Sequence, residues 1–113
     1  MKPFTEERPW GNFREFTVNE KSTVKILKVN KGQEFSLQTH KKRNEFWRIL
    51  SGHPDVTVGG EIFHSSPGEE FMVKSGMNHR VHAINESAEI LEISEGDFEE
   101  GDIQRISDDY GRN

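Results

Sequence analysis

Four side chains in this sequence have the types and spacing to hold a metal ion: Gln38, His40, Glu45 and His79. Gln38 and His40 are two apart, so on a strand they point to the same face. Glu45 follows the short basic turn Lys41-Lys42-Arg43-Asn44, and a hairpin there brings its carboxylate back against His40. His79 comes later, behind the turn signal Ser75-Gly76. Together they offer two imidazoles, one carboxylate and one amide oxygen. That set suits a single borderline divalent ion with a coordination position left open. Zinc is the first expectation, and Mn, Co, Fe or Ni are compatible with the same ligands. Each residue alone reads more simply as a surface or hydrogen-bonded group; only their joint spacing argues for a site. His53, His64 and His82 are assigned that ordinary role, His82 because it lies three positions from His79 and so faces away on a strand.

The elements that must position these groups are short strands. Residues 23–29, 34–38, 46–50, 54–58, 61–64, 71–73, 80–84 and 89–93 are β-rich, and Gly, Pro, Asn or Ser punctuates the gaps between them. Gly59-Gly60 predicts a tight hairpin. Strands at intervals of about ten residues predict an antiparallel sandwich or barrel. The chain reads as one domain: an irregular arm over 1–20, a barrel over 21–96, and a segment over 97–113 with a short helix or turn.

Composition narrows the class. Hydrophobic residues make up only 31% of the 113, while eight are Phe, which predicts that a few large rings carry the burial. There is no cysteine, so neither a disulfide nor a thiolate zinc site can form. The N-terminus has no apolar signal-like core, and no apolar run is long enough to span a membrane, so a cytoplasmic protein without membrane partners is expected. Residues 1–85 carry thirteen Lys/Arg against ten Asp/Glu, whereas 86–113 carry two against ten. An acidic tail argues against nucleic acid as a partner.

Gly32 to Gly52 and Gly68 to His79 resemble the two metal motifs of the cupins, which fold as jelly-roll barrels, also called double-stranded β-helices. Gln38 stands at the first His position and Lys74 at the usual Pro of the second motif. The likeness sharpens at Ser36-Leu37-Gln38, His40 and Arg43-x-Glu45-x-Trp47. These resemble the C-terminal cupin domain of type II mannose-6-phosphate isomerase/mannose-1-phosphate guanylyltransferase. Arg8-Pro9-Trp10-Gly11, Val24-Lys25, Gly76-x-x-His79-Arg80, Asp102-Ile103-x-Arg105 and Tyr110-Gly111-Arg112 follow that family's order. The turn after His40 departs from it with Lys41-Lys42, and the stretch between Leu50 and Met72 matches poorly.

The resemblance implies an all-β cupin that interconverts mannose 6-phosphate and fructose 6-phosphate on a metal held by Gln38, His40, Glu45 and His79. It implies Lys25, Arg43 and Arg80 as catalytic candidates, because they lie in matched motifs near the metal. Arg105 and Arg112, the only cations of the acidic tail, become candidates for binding the phosphate. Pairing of Arg43 with a neighbouring carboxylate, or of Arg105 and Arg112 with Asp102, Asp108 or Asp109, is the structural alternative. Guanylyl transfer is not expected, since the nucleotidyltransferase part is absent. A non-catalytic cupin binding metal and sugar phosphate, and a non-haem iron oxygenase using His40, Glu45 and His79, are the rival functions. A hexose phosphate is the expected small-molecule partner, and a homodimer the expected assembly.

Overall fold

The computed structural model describes residues 1–112. Eleven strands form a hairpin and two facing sheets. The hairpin joins β1 (Phe4–Arg8) to β2 (Gly11–Glu15). One sheet has the order β3 (Ser22–Val29), β10 (Ala88–Glu95), β5 (Glu45–Ser51), β8 (Glu70–Val73). The other runs β11 (Gln104–Ser107), β4 (Leu37–Thr39), β9 (His79–His82), β6 (Asp55–Val58), β7 (Glu61–His64). Every pairing is antiparallel, and consecutive strands repeatedly switch sheets, which is jelly-roll topology.

Alternation explains the core. On β5 the side chains of Glu45, Trp47 and Ile49 face inward and are almost fully buried. Ile90, opposite Ile49, and Val56, opposite Val81, close the same interior. Phe35 meets the edge of Trp47 with ring centroids 5.9 Å apart. The core is therefore built from Trp47 and β-branched residues. The expectation that phenylalanine carries the burial is not met: of the eight, only Phe46 is buried. Phe4 and Phe63 are exposed, and Phe98 stands over the site described below.

Two other expectations change. Residues 1–20 are not an irregular arm: Arg8-Pro9-Trp10-Gly11 is the turn of a regular hairpin, tied to the barrel where Arg14 grips both oxygens of Glu70 at 2.7 and 2.6 Å. The segment after Gly96 forms no helix among the described residues. It turns at Glu100–Gly101 and then runs as β11 along β4. Asp97, Gly101 and Asp102 favour turns over helix propagation.

Gly52, at the end of the first metal motif, is required twice over. Its φ is +81°, and a Cβ there would lie 2.6 Å from the carbonyl oxygen of Ser87 and 3.0 Å from Cα of Ala88. Both are backbone atoms, one in the residue just before β10 and one in its first residue, so they cannot easily step aside. Gly52→Ala is expected to lower stability by about 2 kcal/mol, measured as a shift in the urea midpoint. Gly32 has the same sign of φ but open space around it, so its alanine variant should cost less. Equal midpoints for parent and Gly52→Ala would refute the contact.

Candidate metal centre

The register of three strands assembles the site. Gln38 on β4 sits opposite His79 on β9 and opposite Arg105 on β11. His40 follows β4 directly, and Glu45 opens β5 after the basic turn. Gly76 N–H donates to the His40 carbonyl at 2.7 Å and holds the second motif against the first. Candidate ligand atoms of His40, Glu45 and His79 all lie within 4.8 Å of one another, and all three residues are buried.

The surroundings prepare these groups as ligands. His40 Nδ1 meets the Asp102 carbonyl at 2.5 Å and His79 Nδ1 meets the Met77 carbonyl at 3.0 Å. A carbonyl only accepts, so each Nδ1 carries the proton and each Nε2 lone pair turns to the centre. Burial pushes the His79 pKa below its ordinary value, against the opposing pull of the Met77 carbonyl, which favours the neutral imidazole that a metal needs. Glu45 accepts from the Trp47 indole at 3.2 Å and from Arg43 Nε at 2.9 Å. Gln38 Oε1 accepts from the buried Ser36 hydroxyl at 2.7 Å, and its NH2 lies 3.4 Å from both Nε2 atoms. Rotating the amide presents the oxygen instead. The donor set therefore fits a divalent ion: two imidazoles of fixed tautomer, one carboxylate and one reversible amide.

Beside the centre lies a cavity of about 220 Å³ lined by Gln38, His40, Lys25, Arg43, Glu92 and Arg105, among others. Phe98 roofs part of it, with Lys25 Nζ 4.0 Å and the Arg43 guanidinium 4.3 Å from its ring centroid. Arg105 Nε is buried and has no hydrogen-bond partner among the described residues.

Not all the expected site residues gather here. Gln38, His40, Glu45 and His79 do, with Lys25, Arg43 and Arg105 alongside. Arg112 also lines the cavity, but its side chain is engaged by both oxygens of Asp108 at 3.0 Å each, the structural alternative named above. Arg80 is turned away: its guanidinium serves the carbonyls of Phe35 and Ser107 and pairs with Glu34 at 3.4 Å. It follows His79 directly, so strand alternation sends it to the opposite face. His53, His64 and His82 pair with Glu86, Asp55 and Glu34, as their ordinary reading requires.

Three residues were missed. Asp102 accepts the backbone N–H groups of Lys41 and Lys42 at 2.9 Å each, clamping the turn behind His40. Those bonds hold its carboxyl below the usual range. Phe98 roofs the cavity. Glu92 is 7% exposed and faces inward opposite Lys25. Burial first, and Glu45 second, push its pKa up to about 7, against Lys25 and Arg43. The signal for Glu92 was present: Ala88, Ile90, Glu92 and Ser94 form the inward row of β10, where a carboxylate is out of place unless it serves a site.

Comparison with known proteins now bears on this geometry. The family described as "Mannose-6-phosphate isomerase C-terminal" matches residues 3–108. The chain belongs to this family. It is 33% identical over 107 residues to the xanthan biosynthesis protein XanB of Xanthomonas campestris pv. campestris (strain B100), covering 93% of this chain and 23% of that protein. It is 34% identical over 108 residues to a mannose-1-phosphate guanylyltransferase of Salmonella montevideo, covering 94% and 23%. The chain thus spans about a quarter of these relatives. Among solved structures, the capsular polysaccharide assembling protein CapF of Staphylococcus aureus matches 94% of this chain and 34% of its own, with a TM-score of 0.69 at 16% identity. A Klebsiella pneumoniae protein with a double-stranded β-helix domain matches 83% and 76%, with a TM-score of 0.61 at 20% identity. These likenesses establish the fold, which is that of a cupin.

The expected activity does not survive the comparison. The relatives are named as mannose-1-phosphate guanylyltransferases and as polysaccharide biosynthesis proteins, not as mannose-6-phosphate isomerases. The assignment of this chain as an isomerase is withdrawn accordingly. The relatives with transferase names are enzymes of carbohydrate metabolism. No helix in the described residues is long and apolar enough to cross a membrane.

Proposed function

We propose that this cupin holds one divalent ion on His40, Glu45, His79 and the rotated amide of Gln38, and binds a phosphorylated sugar in the adjoining cavity. The observation that carries the reading is Arg105 Nε, buried at the cavity wall without a partner. An unpaired guanidinium N–H out of water is costly, and an anion entering the cavity would satisfy it. Lys25 and Arg43 add positive charge on the same walls. The volume falls below the roughly 300–1,000 Å³ of drug-sized sites, which favours one small ligand. A bound ion would supply Lewis-acid attraction for sugar hydroxyl or carbonyl oxygens. Zinc is the first ion to test. The names of the relatives make mannose phosphates the first ligands to test.

Calorimetry on zinc-loaded protein with mannose 1-phosphate, mannose 6-phosphate and mannose tests this. A phosphorylated sugar is expected to bind, and free mannose much less well. Arg105→Ala should weaken phosphate-ester binding about tenfold, the effect of losing one charge-assisted hydrogen bond. Equal binding of mannose and its phosphates, or no effect of Arg105→Ala, would sink the proposal.

A further inference from the structure

Arg43 occupies an unusual position for a cation. Its Nε donates to Glu45 Oε2 at 2.9 Å, and its Nη2 lies 3.0 Å from His40 Nε2. With the His40 proton on Nδ1, that second contact is a guanidinium N–H donating to the imidazole lone pair. Both atoms belong to residues of the proposed ligand set. The side chain is only 7% exposed, so water does little to weaken its charge. It is also not a free surface arginine that happens to reach inward. Nη1 faces the Glu99 carbonyl at 3.3 Å, and the guanidinium lies over the Phe98 ring.

We infer that Arg43 is a built-in competitor of the metal: its guanidinium and the ion contend for His40 Nε2 and Glu45 Oε2, so loading requires Arg43 to withdraw. The inference rests on the metal reading given above. Two physical reasons support it. A lone pair engaged by an N–H cannot at the same time coordinate an ion, and a dication and a guanidinium repel strongly at such separations in a buried place. Gln38 imposes a smaller barrier, since its NH2 yields by rotating the amide. Arg43 must move its whole head group, which also contacts the Phe98 ring and the Glu99 carbonyl. In the same position the guanidinium compensates the buried Glu45 carboxylate and donates to the His40 lone pair.

Titrating Co²⁺ alone against the parent, Arg43→Gln and Arg43→Lys, and following its visible absorption, tests this without any assay of activity. Arg43→Gln should bind Co²⁺ at least tenfold more tightly than the parent, with Arg43→Lys between them. Equal or weaker binding by Arg43→Gln, with the parent still binding, overturns the inference and leaves the metal reading standing. Failure of both the parent and Arg43→Gln to bind Co²⁺ overturns both. The parent alone provides an independent check should the variants fold poorly. The Arg43 Nε–H resonance, protected from solvent exchange before addition, should shift and lose protection with one equivalent of Zn²⁺. A protected, unmoved resonance in zinc-loaded protein would overturn the inference as well.

Discussion

His79→Ala is expected to abolish stoichiometric binding of a divalent ion. His79 is 1% exposed, its Nδ1 is held by the Met77 carbonyl, and its Nε2 faces the Glu45 carboxylate at 3.8 Å. Among the described residues no other imidazole is placed to replace it: on the same strand His82 lies on the opposite face, paired with Glu34. Removing one of two imidazoles should cost at least about 1,000-fold in affinity, since metal binding depends on a complete, preformed set. The parent should gain thermal stability with excess Zn²⁺, by about 4 kcal/mol when the ion stands at a thousand times its Kd. The variant should gain nothing. His79→Gln keeps more of the side-chain volume and separates loss of a ligand from loss of packing. Metal analysis after gel filtration decides the matter. One equivalent of zinc retained by both variants would show that the ligands were misassigned.

That such a variant can be named at all reflects how much of the centre is written locally. Gln38 and His40 share a face because they are two apart, and the Lys41–Asn44 turn is too short to carry Glu45 anywhere but back beside them. The β6–β7 hairpin at Gly59-Gly60 is legible for the same reason. What was not legible depends on long-range register. Arg105 meets Gln38 only because β11 pairs with β4, and the sequence of that segment suggests a helix or turn instead. Asp102 clamps the turn behind His40 across some sixty positions of sequence. The motif order made Arg80 look like part of the site, yet strand alternation places it outside. Arg112 sat among acids in the sequence, and one of them, Asp108, claims it. The activity was the least legible part. Gln38 and the flanking motifs identify the family, but a family shared by domains of much longer enzymes does not carry an activity over to a chain spanning a quarter of them.

Glu92→Gln should stabilise the protein at pH 8 and leave it nearly unchanged at pH 4. The folded chain holds the Glu92 proton up to about pH 7, whereas an unfolded glutamate releases it near its ordinary value of 4.5. Below the unfolded value both states are protonated, and the group imposes no penalty. Between the two values the folded state binds more protons than the unfolded one, so stability falls as pH rises, by about 1.4 kcal/mol per unit. Above pH 7 both are ionised and the penalty levels off, on the order of 3 kcal/mol. Its cause is burial of the carboxylate beside Glu45, only partly offset by Lys25 and Arg43. Glutamine has nearly the same shape, carries no charge, and can still accept from the Ser94 hydroxyl, so its profile lacks this slope. Denaturant unfolding of parent and variant at pH 4, 6 and 8, with a chelator present so that no metal charge enters, isolates the difference. Other carboxylates such as Asp102 and Asp108 lose stability in the opposite direction, as pH falls, but they do so equally in both proteins. If the two profiles run parallel from pH 4 to 8, Glu92 is ionised normally in the fold, and the cavity wall is more polar than its burial implies.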